Sequence, residues 1–290
     1  HILFPALEPE RLPATMSGRI VGELLRKRMG FGGLVLSDCM MMDAIAAHFG
    51  TVSGSVAALA AGVDMVFVSH NAALASEAAQ ASLRALINRE LDRASFEVST
   101  RRILSAKTKL SADAPSLSEV GCATHRAVSE GITRAAMTLV HAAPFALGAN
   151  PLFVGCARFR PTLAANPEDA SQCFPEAMRA LLGGDAFVTS PDPTDAEVEA
   201  ALARADGHTS IVVGLFNAFA CPGQRTLVVK ASNLGLPLCA VALRTPYDLQ
   251  ALPSHVRAYA VYDYDARTMA VLAKVLADKA EANGHLPVKL

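Results

Sequence analysis

The sequence predicts an α/β protein in which each half of the chain builds a parallel sheet covered by helices. Short apolar runs of strand length alternate with longer helical segments along both halves, and such alternation is typical of parallel sheets. The strand candidates of the second half are apolar at successive positions, as expected for strands covered on both faces. The chain has 290 residues, which is enough for one or two domains.

The first part of the alternation covers residues 1–110. We predict strands at Ile2–Phe4, Leu34–Leu36 and Asp64–Val68. Helical segments are predicted from Pro13 onward, with Ile20, Val21, Leu24 and Leu25 on one face, directly after Asp38 as far as Ala47, and over Val56–Ala61, Ala72–Asn88 and Ser95–Lys109. These segments would cover the strands as crossover helices.

A break in the alternation follows at Ser111–Ser116. This stretch is small and polar and contains Pro115, which is the composition of a linker. The helix predicted over Thr124–Met137 then leads into the second half. We therefore expect a first domain with its linker at residues 1–116 and a second domain at residues 117–290.

The second half contains five further strand candidates. They are Leu152–Cys156, Ala186–Thr189, Ser210–Phe216, Leu238–Leu243 and Ala258–Tyr262. The helices between and after them are predicted at Glu176–Leu182, Thr194–Ala205, Gln224–Leu234 and Ala266–Lys279. This pattern predicts an open, doubly wound α/β sandwich, in which Ser210–Phe216 and Leu238–Leu243 are neighbouring or near-neighbouring parallel strands.

Composition narrows the classes of partner. The net charge of −1 gives no reason to expect a nucleic-acid partner, and no apolar run approaches the roughly 20 residues that a membrane span needs. The six cysteines are scattered and form no C-x-x-C pair. We interpret them as reduced residues, which favours a cytoplasmic location, although a signal peptide could not be seen because the chain does not begin with Met.

Asp38 is the main candidate for chemistry. It follows Ser37 at the end of the Leu34–Leu36 run. A carboxylate at the C-terminal end of a buried parallel strand is where α/β barrels hold their catalytic groups, but Asp is also a preferred helix N-cap. Position alone leaves these two interpretations equally weighted.

Several ordered motifs surround Asp38. They are His1–Leu7, Pro13–Ser17, Gly30-Phe31, the strand ending in Ser37-Asp38, and Ala61–Val66. Together they closely resemble glycoside hydrolase family 3, in particular its bacterial β-N-acetylglucosaminidase branch. Cys39 departs from the family pattern, which often has Asp or Ala there. The resemblance implies that residues 1–110 are the last three strands of a (β/α)₈ barrel, the C-terminal portion of that fold.

The resemblance extends through the second half. Its markers there are Gly214–Ala218, Gln224–Val228, Leu243–Leu249 and Gly284–Val288. In the family an α/β sandwich domain follows the barrel. The resemblance therefore covers nearly the whole chain.

The resemblance also implies roles for individual residues. Asp38 falls on the family's catalytic nucleophile, and a retaining glycosidase needs such a carboxylate to form a glycosyl-enzyme intermediate. We expect Ser37 to orient it with a hydrogen bond. His1 is a candidate contact of the sugar, with a structural role as the alternative. Met40–Met42 is interpreted as packing, with Met42, or Met40, as a candidate for the pocket lining.

The remaining polar residues are interpreted as structural. Asp64 begins a strand and is expected to serve structure, and Asp43 is expected to be solvated on the following helix. The histidines show no ligand spacing such as H-x-x-x-H, so we expect no metal. Glycine motifs for a dinucleotide are lacking, so we expect no cofactor.

The general acid of a retaining glycosidase has no counterpart in the chain. In the acetylglucosaminidase branch it is an Asp–His pair on a loop after a Lys-His-Phe-Pro-Gly motif, which is absent here. We therefore expect the chain to be the C-terminal part of a longer enzyme and to be inactive alone, with residues 1–110 covered by the missing N-terminal half or a second copy.

The substrate implied is a carbohydrate with terminal β-linked N-acetylglucosamine, such as a cell-wall muropeptide. Three alternatives remain open: a non-catalytic or inactive α/β module, a related phosphorylase, and a β-glucosidase.

Overall fold

The computed structural model describes residues 1–110, 115–159 and 172–290. The chain divides into two units, His1–Pro115 and Ser116–Leu290. Both are α/β, as predicted. Most of the linker expected at Ser111–Ser116 lies outside the described residues. No helix in the described ranges has the length and apolar character that crossing a bilayer requires.

The first unit is built on two parallel strands, β1 (Leu36–Cys39) and β2 (Met65–Phe67). Its helices are α1 (Asp43–Ala46), α2 (Thr51–Ala61), α3 (Ala72–Ile87) and α4 (Arg93–Lys107), preceded by a 3₁₀ turn at Ala14–Met16 and a π-helix at Arg19–Arg28. A small core of Met16, Val21, Met40, Ile45, Ala58 and Val63 joins these elements. Within the described residues the two strands form no closed barrel.

Two of the predicted strands in this unit are wrong in whole or in part. Ile2–Phe4 is not a strand, because its backbone has no neighbouring strand in the described residues, and the Ile2 carbonyl accepts instead from the amide of Ala14. The strand predicted at Leu34–Leu36 begins only at Leu36 and continues to Cys39. The amide of Val35 donates to the Asp64 carboxylate at 2.8 Å, so it is not available to a strand ladder.

The second unit is built on one six-stranded sheet. Its strands are β3 (Thr138–His141), β4 (Pro151–Cys156), β5 (Asp185–Thr189), β6 (Ser210–Leu215), β7 (Leu238–Ala242) and β8 (Arg257–Ala260), in the order β3-β8-β7-β6-β4-β5. The helices are α5 (Ala123–Ala136), α6 (Phe174–Leu182), α7 (Asp195–Ala203), α8 (Pro222–Ala231) and α9 (Ala266–Leu276).

The topology confirms the predicted parallel sandwich and adds one strand. β6 and β7 are parallel neighbours, with Ile211 opposite Leu238, as expected. The unpredicted strand β3 pairs antiparallel with β8 at the edge of the sheet. It was missed because its four residues follow the predicted helix directly and are too few to show a strand pattern.

Burial explains why the central strands lack alternation. Every residue of β4, β6 and β7 is buried. Along β4, Leu152 and Val154 belong to one apolar layer, whereas Phe153 and Cys156 belong to the other. The strands are therefore covered on both faces, which is the arrangement that continuous apolar runs indicate.

Tyr264 links three segments inside the second unit. Its hydroxyl donates to the carbonyl of Cys156 at 2.8 Å and accepts from the amide of Phe174. Because Tyr264 is buried, Tyr264→Phe leaves both backbone groups without this partner, and we expect it to lower the free energy of unfolding by about 1–3 kcal/mol. Urea denaturation would measure this loss. The control is Tyr247→Phe at an exposed position, and an equal loss in both variants would contradict the prediction.

Candidate active site

Asp38 lies at the C-terminal end of β1, next to the last residue of that strand. Its side chain is exposed, and its Oδ1 accepts a hydrogen bond from the amide of Cys39 at 2.6 Å. Among the described residues no hydrogen bond reaches Oδ2. The carboxylate is therefore held through one oxygen and open through the other.

The helix-cap interpretation of Asp38 is wrong. Helix α1 begins at Asp43, and its N-cap residue is Met42. A turn over Met40–Met42 separates Asp38 from that helix, with the Met42 amide donating to the Cys39 carbonyl at 3.1 Å. Asp38 thus has no helix terminus to cap.

Ser37 does not orient the carboxylate as we expected. Its hydroxyl donates to the backbone carbonyl of Asp38 at 2.7 Å and accepts from the amide of Phe67 at 3.0 Å. The Met40 amide also donates to the Phe67 carbonyl, at 2.8 Å. These bonds join the ends of β1 and β2, so Ser37 fixes the backbone that carries Asp38.

His1 lies against the same strand end. Its Nε2 is 3.0 Å from the Cys39 carbonyl oxygen, which can only accept, so Nε2 carries a proton. Its Nδ1 is 2.9 Å from the hydroxyl of Thr15. Both ring nitrogens thus form hydrogen bonds within the protein, and His1 stabilises the backbone beside Asp38. Sequence reasoning did not single out Thr15, although the Pro13–Ser17 motif contains it.

The methionines after Asp38 separate into different environments. Met40 is fully buried in the core of the first unit. Met42 is half-buried at the start of α1. Of the two candidates for a pocket lining, Met42 has the more accessible side chain, and its contact with a sugar stays a prediction.

Asp64 stands at the opposite, N-terminal end of β2 and forms a buried ionic cluster. One carboxylate oxygen accepts from Arg26 and the amide of Val35. The other accepts from Ser99 at 2.6 Å and Arg102 at 3.0 Å. The cluster connects the Arg19–Arg28 helix, the residues directly before both strands, and α4, which is the structural role expected for Asp64.

The cluster makes the stability of the first unit depend on pH. Burial acts to raise the pKa of Asp64, but the hydrogen bonds from Ser99, Val35 and Arg102 and the charge of Arg26 outweigh it and hold that pKa below its ordinary value of 3.8. A lowered pKa contributes stability above the pKa of the unfolded carboxyl group, and this is lost as pH falls through the folded value. We expect the difference in unfolding free energy between wild type and Asp64→Asn to shrink below pH 4; a difference that stays constant with pH would contradict this.

One set of possible metal ligands was not found from the sequence. Glu119, Cys122 and His125 in the second unit have ligand atoms within 4.8 Å of one another, the one such group in the described residues. The sequence was searched only for C-x-x-C pairs and for the spacing of histidines, whereas this group mixes three residue types.

Comparisons with known proteins agree with the motifs. Residues 1–106 match the family model described as the N-terminal domain of glycosyl hydrolase family 3. A β-hexosaminidase of Bordetella parapertussis is 38% identical over 77 residues, 27% of this chain and 21% of the relative. β-Hexosaminidase A of Pseudoalteromonas piscicida is 31% identical over 160 residues, 48% of this chain and 27% of the relative.

A solved structure extends the similarity to both units. A glycoside hydrolase family 3 β-N-acetylglucosaminidase from Paenibacillus sp. str. FPU-7 has a TM-score of 0.77 and 28% identity, over 99% of this chain and 57% of that chain. The chain thus spans little more than half of that solved protein and matches about a quarter of the curated relatives. Over residues 1–106, the chain is thus similar to the N-terminal domain of glycosyl hydrolase family 3.

Proposed function

We propose that the chain supplies the nucleophile of a retaining β-N-acetylglucosaminidase, and that Asp38 is this nucleophile. The supporting observation is the exposed Asp38 carboxylate at the C-terminal end of a parallel strand, oriented by the Cys39 amide. The names of the relatives, β-hexosaminidase and β-N-acetylglucosaminidase, indicate the sugar.

The geometry suits a double displacement. The open Oδ2 of Asp38 attacks the anomeric carbon while the glycosidic oxygen leaves with a proton from a general acid, and water then hydrolyses the glycosyl ester with retention. The Cys39 amide disperses charge on Oδ1. His1 and Ser37 hold the backbone around Asp38 in place, so the carboxylate attacks from a fixed position.

The general acid is proposed to come from outside the described residues. In the described part of the first unit, no histidine is paired with a carboxylate, and both nitrogens of His1 are engaged. We therefore propose that the chain alone does not hydrolyse an aryl β-N-acetylglucosaminide. Robust, Asp38-dependent turnover by the isolated chain would contradict this proposal.

The first unit also exposes apolar side chains on its two strands, which a further protein segment would bury. Leu36 and Phe67 lie on the two strands, yet they are 47% and 43% exposed. Uncovered apolar strand edges favour association. We propose that a part of the enzyme beyond these 290 residues, or a second copy of the chain, covers them.

The test uses the longest protein that the gene encodes. An aryl β-N-acetylglucosaminide is supplied and the first-formed sugar is followed by NMR; we expect the β anomer first, as retention requires. An aryl β-glucoside tests the sugar preference, and added inorganic phosphate tests for a glycosyl phosphate product. Inversion, or no turnover of any aryl β-glycoside, would contradict the proposal. If the aryl N-acetylglucosaminide is hydrolysed with retention, natural muropeptide fragments test the cell-wall substrate.

A further inference from the structure

We propose that Glu119, Cys122 and His125 bind one zinc-type divalent ion at the start of the second unit. The three residues flank the turn between a 3₁₀ helix, Leu117–Glu119, and α5. Their ligand atoms, a carboxylate oxygen, a thiol sulfur and an imidazole nitrogen, all lie within 4.8 Å of one another. This site is independent of Asp38, which lies in the first unit.

The backbone brings the three ligands together without the ion. The amide of Glu119 donates to the Ser116 carbonyl at 2.9 Å, and the amide of Cys122 donates to the Glu119 carbonyl at 3.3 Å. Gly121 turns the chain with a φ of +62°, a conformation that glycine adopts without strain. Cys122 is the N-cap of α5, and its side chain caps nothing, so its sulfur is free for a metal.

His125 joins the other two ligands because it lies in the first turn of α5. That turn is held by the Arg126 amide, which donates to the Cys122 carbonyl at 3.0 Å. The Arg126 side chain donates to the Gly121 carbonyl. One continuous hydrogen-bonded segment therefore positions all three ligands, and little chain entropy remains to be lost when the ion binds.

The ligand types select the metal. Zinc binds thiolate at about 2.3 Å and nitrogen or carboxylate oxygen at about 2.0–2.2 Å in tetrahedral sites. Ligands on such a tetrahedron lie about 3.5 Å apart, so small rotations of the side chains complete the geometry. Calcium and magnesium require oxygen ligands in larger number, which excludes them here.

Charge and exposure also fit a bound ion. One thiolate and one carboxylate balance a divalent cation when the imidazole is neutral. Glu119 and His125 are exposed and Cys122 is half-buried, so water can supply the fourth ligand. The ion would link the turn that contains Glu119 and Cys122 to His125 in α5, so its role would be structural.

The test titrates Zn²⁺ into the untagged, EDTA-treated and dialysed 290-residue chain against a chromophoric chelator. We expect one equivalent to bind and Co²⁺ to produce a thiolate-to-metal charge-transfer band. Cys122→Ser should abolish that band. Loss of a residue that only supports a metal ligand weakens binding by roughly 10–100-fold. Glu119→Gln and His125→Ala remove direct ligands, so each should weaken binding by at least that much.

Matched controls separate this site from other thiols and histidines. Cys173→Ser and His255→Ala alter a half-buried cysteine and an exposed histidine elsewhere in the unit, and both should retain the band and the stoichiometry. Circular dichroism checks that each variant is folded. Absence of stoichiometric binding, or a cobalt band that persists in folded Cys122→Ser, would overturn the proposal.

Discussion

Asp38→Asn should lower turnover of an aryl β-N-acetylglucosaminide by several orders of magnitude in the longest protein that the gene encodes. The amide cannot attack the anomeric carbon, so the glycosyl-enzyme intermediate does not form. The side chain is exposed, and within the described residues it accepts one hydrogen bond, from the adjacent Cys39 amide. Asparagine also accepts through its carbonyl oxygen, so the fold should be unchanged.

The matched control is Asp43→Asn. Asp43 is also an exposed carboxylate, five residues further along the chain in α1. It should retain wild-type kcat and KM. Equal losses in the two variants would indicate a general effect of charge near the site and would contradict the specific role of Asp38.

Asp64→Asn should lower the free energy of unfolding of the first unit by more than removal of an exposed ion pair does. The Asp64 side chain is fully buried, and its ionic partners Arg26 and Arg102 are only 13% and 29% exposed. Removing the charge leaves two guanidinium groups without their counter-ion in a buried setting, and breaking such a pair costs about 3–5 kcal/mol.

Hydrogen exchange gives this prediction a local readout. The Val35 amide donates to Asp64, so its exchange should accelerate in Asp64→Asn. The control is Glu23→Gln, which removes an exposed i,i+4 pair with Lys27 and should cost at most about 0.5 kcal/mol. A loss in Asp64→Asn no larger than in the control would show that the cluster is not a main stabilising element.

The fold was predictable where local pattern decides it. Runs such as Leu238–Leu243 are apolar at every position and contain Cys or β-branched residues, and they became central strands. Prediction failed where a distant partner decides. Ile2–Phe4 has the composition of a strand but no neighbouring strand in the described residues, and Val35 gives its amide to Asp64, 29 residues away.

In the candidate site, too, the sequence predicted some features correctly and others not. Asp38 was found because strand, Ser and Asp occur together in a family motif. The role given to Ser37 was wrong for a reason already present in the strand: successive side chains point to opposite faces. Ser37 is buried and Asp38 is exposed, so the hydroxyl cannot reach the carboxylate and bonds to the backbone.

The bonds of His1 to Thr15 and Cys39 could not be predicted, because they join residues that are far apart in the sequence. Thr15 is fourteen residues from His1, and Cys39 is thirty-eight residues away. No local pattern indicates that these residues meet. His1 was placed near the sugar as a candidate contact from the sequence, but its bonds to Thr15 and Cys39 were not predicted.

Covalent trapping tests the central claim most directly. The longest protein that the gene encodes is incubated with a fluorinated N-acetylglucosaminyl donor whose glycosyl-enzyme intermediate turns over slowly, and the labelled peptide is mapped by mass spectrometry. We predict one sugar per chain, attached to the Asp38 carboxylate and absent in Asp38→Asn. A label on any other residue would contradict the assignment of Asp38 as the nucleophile.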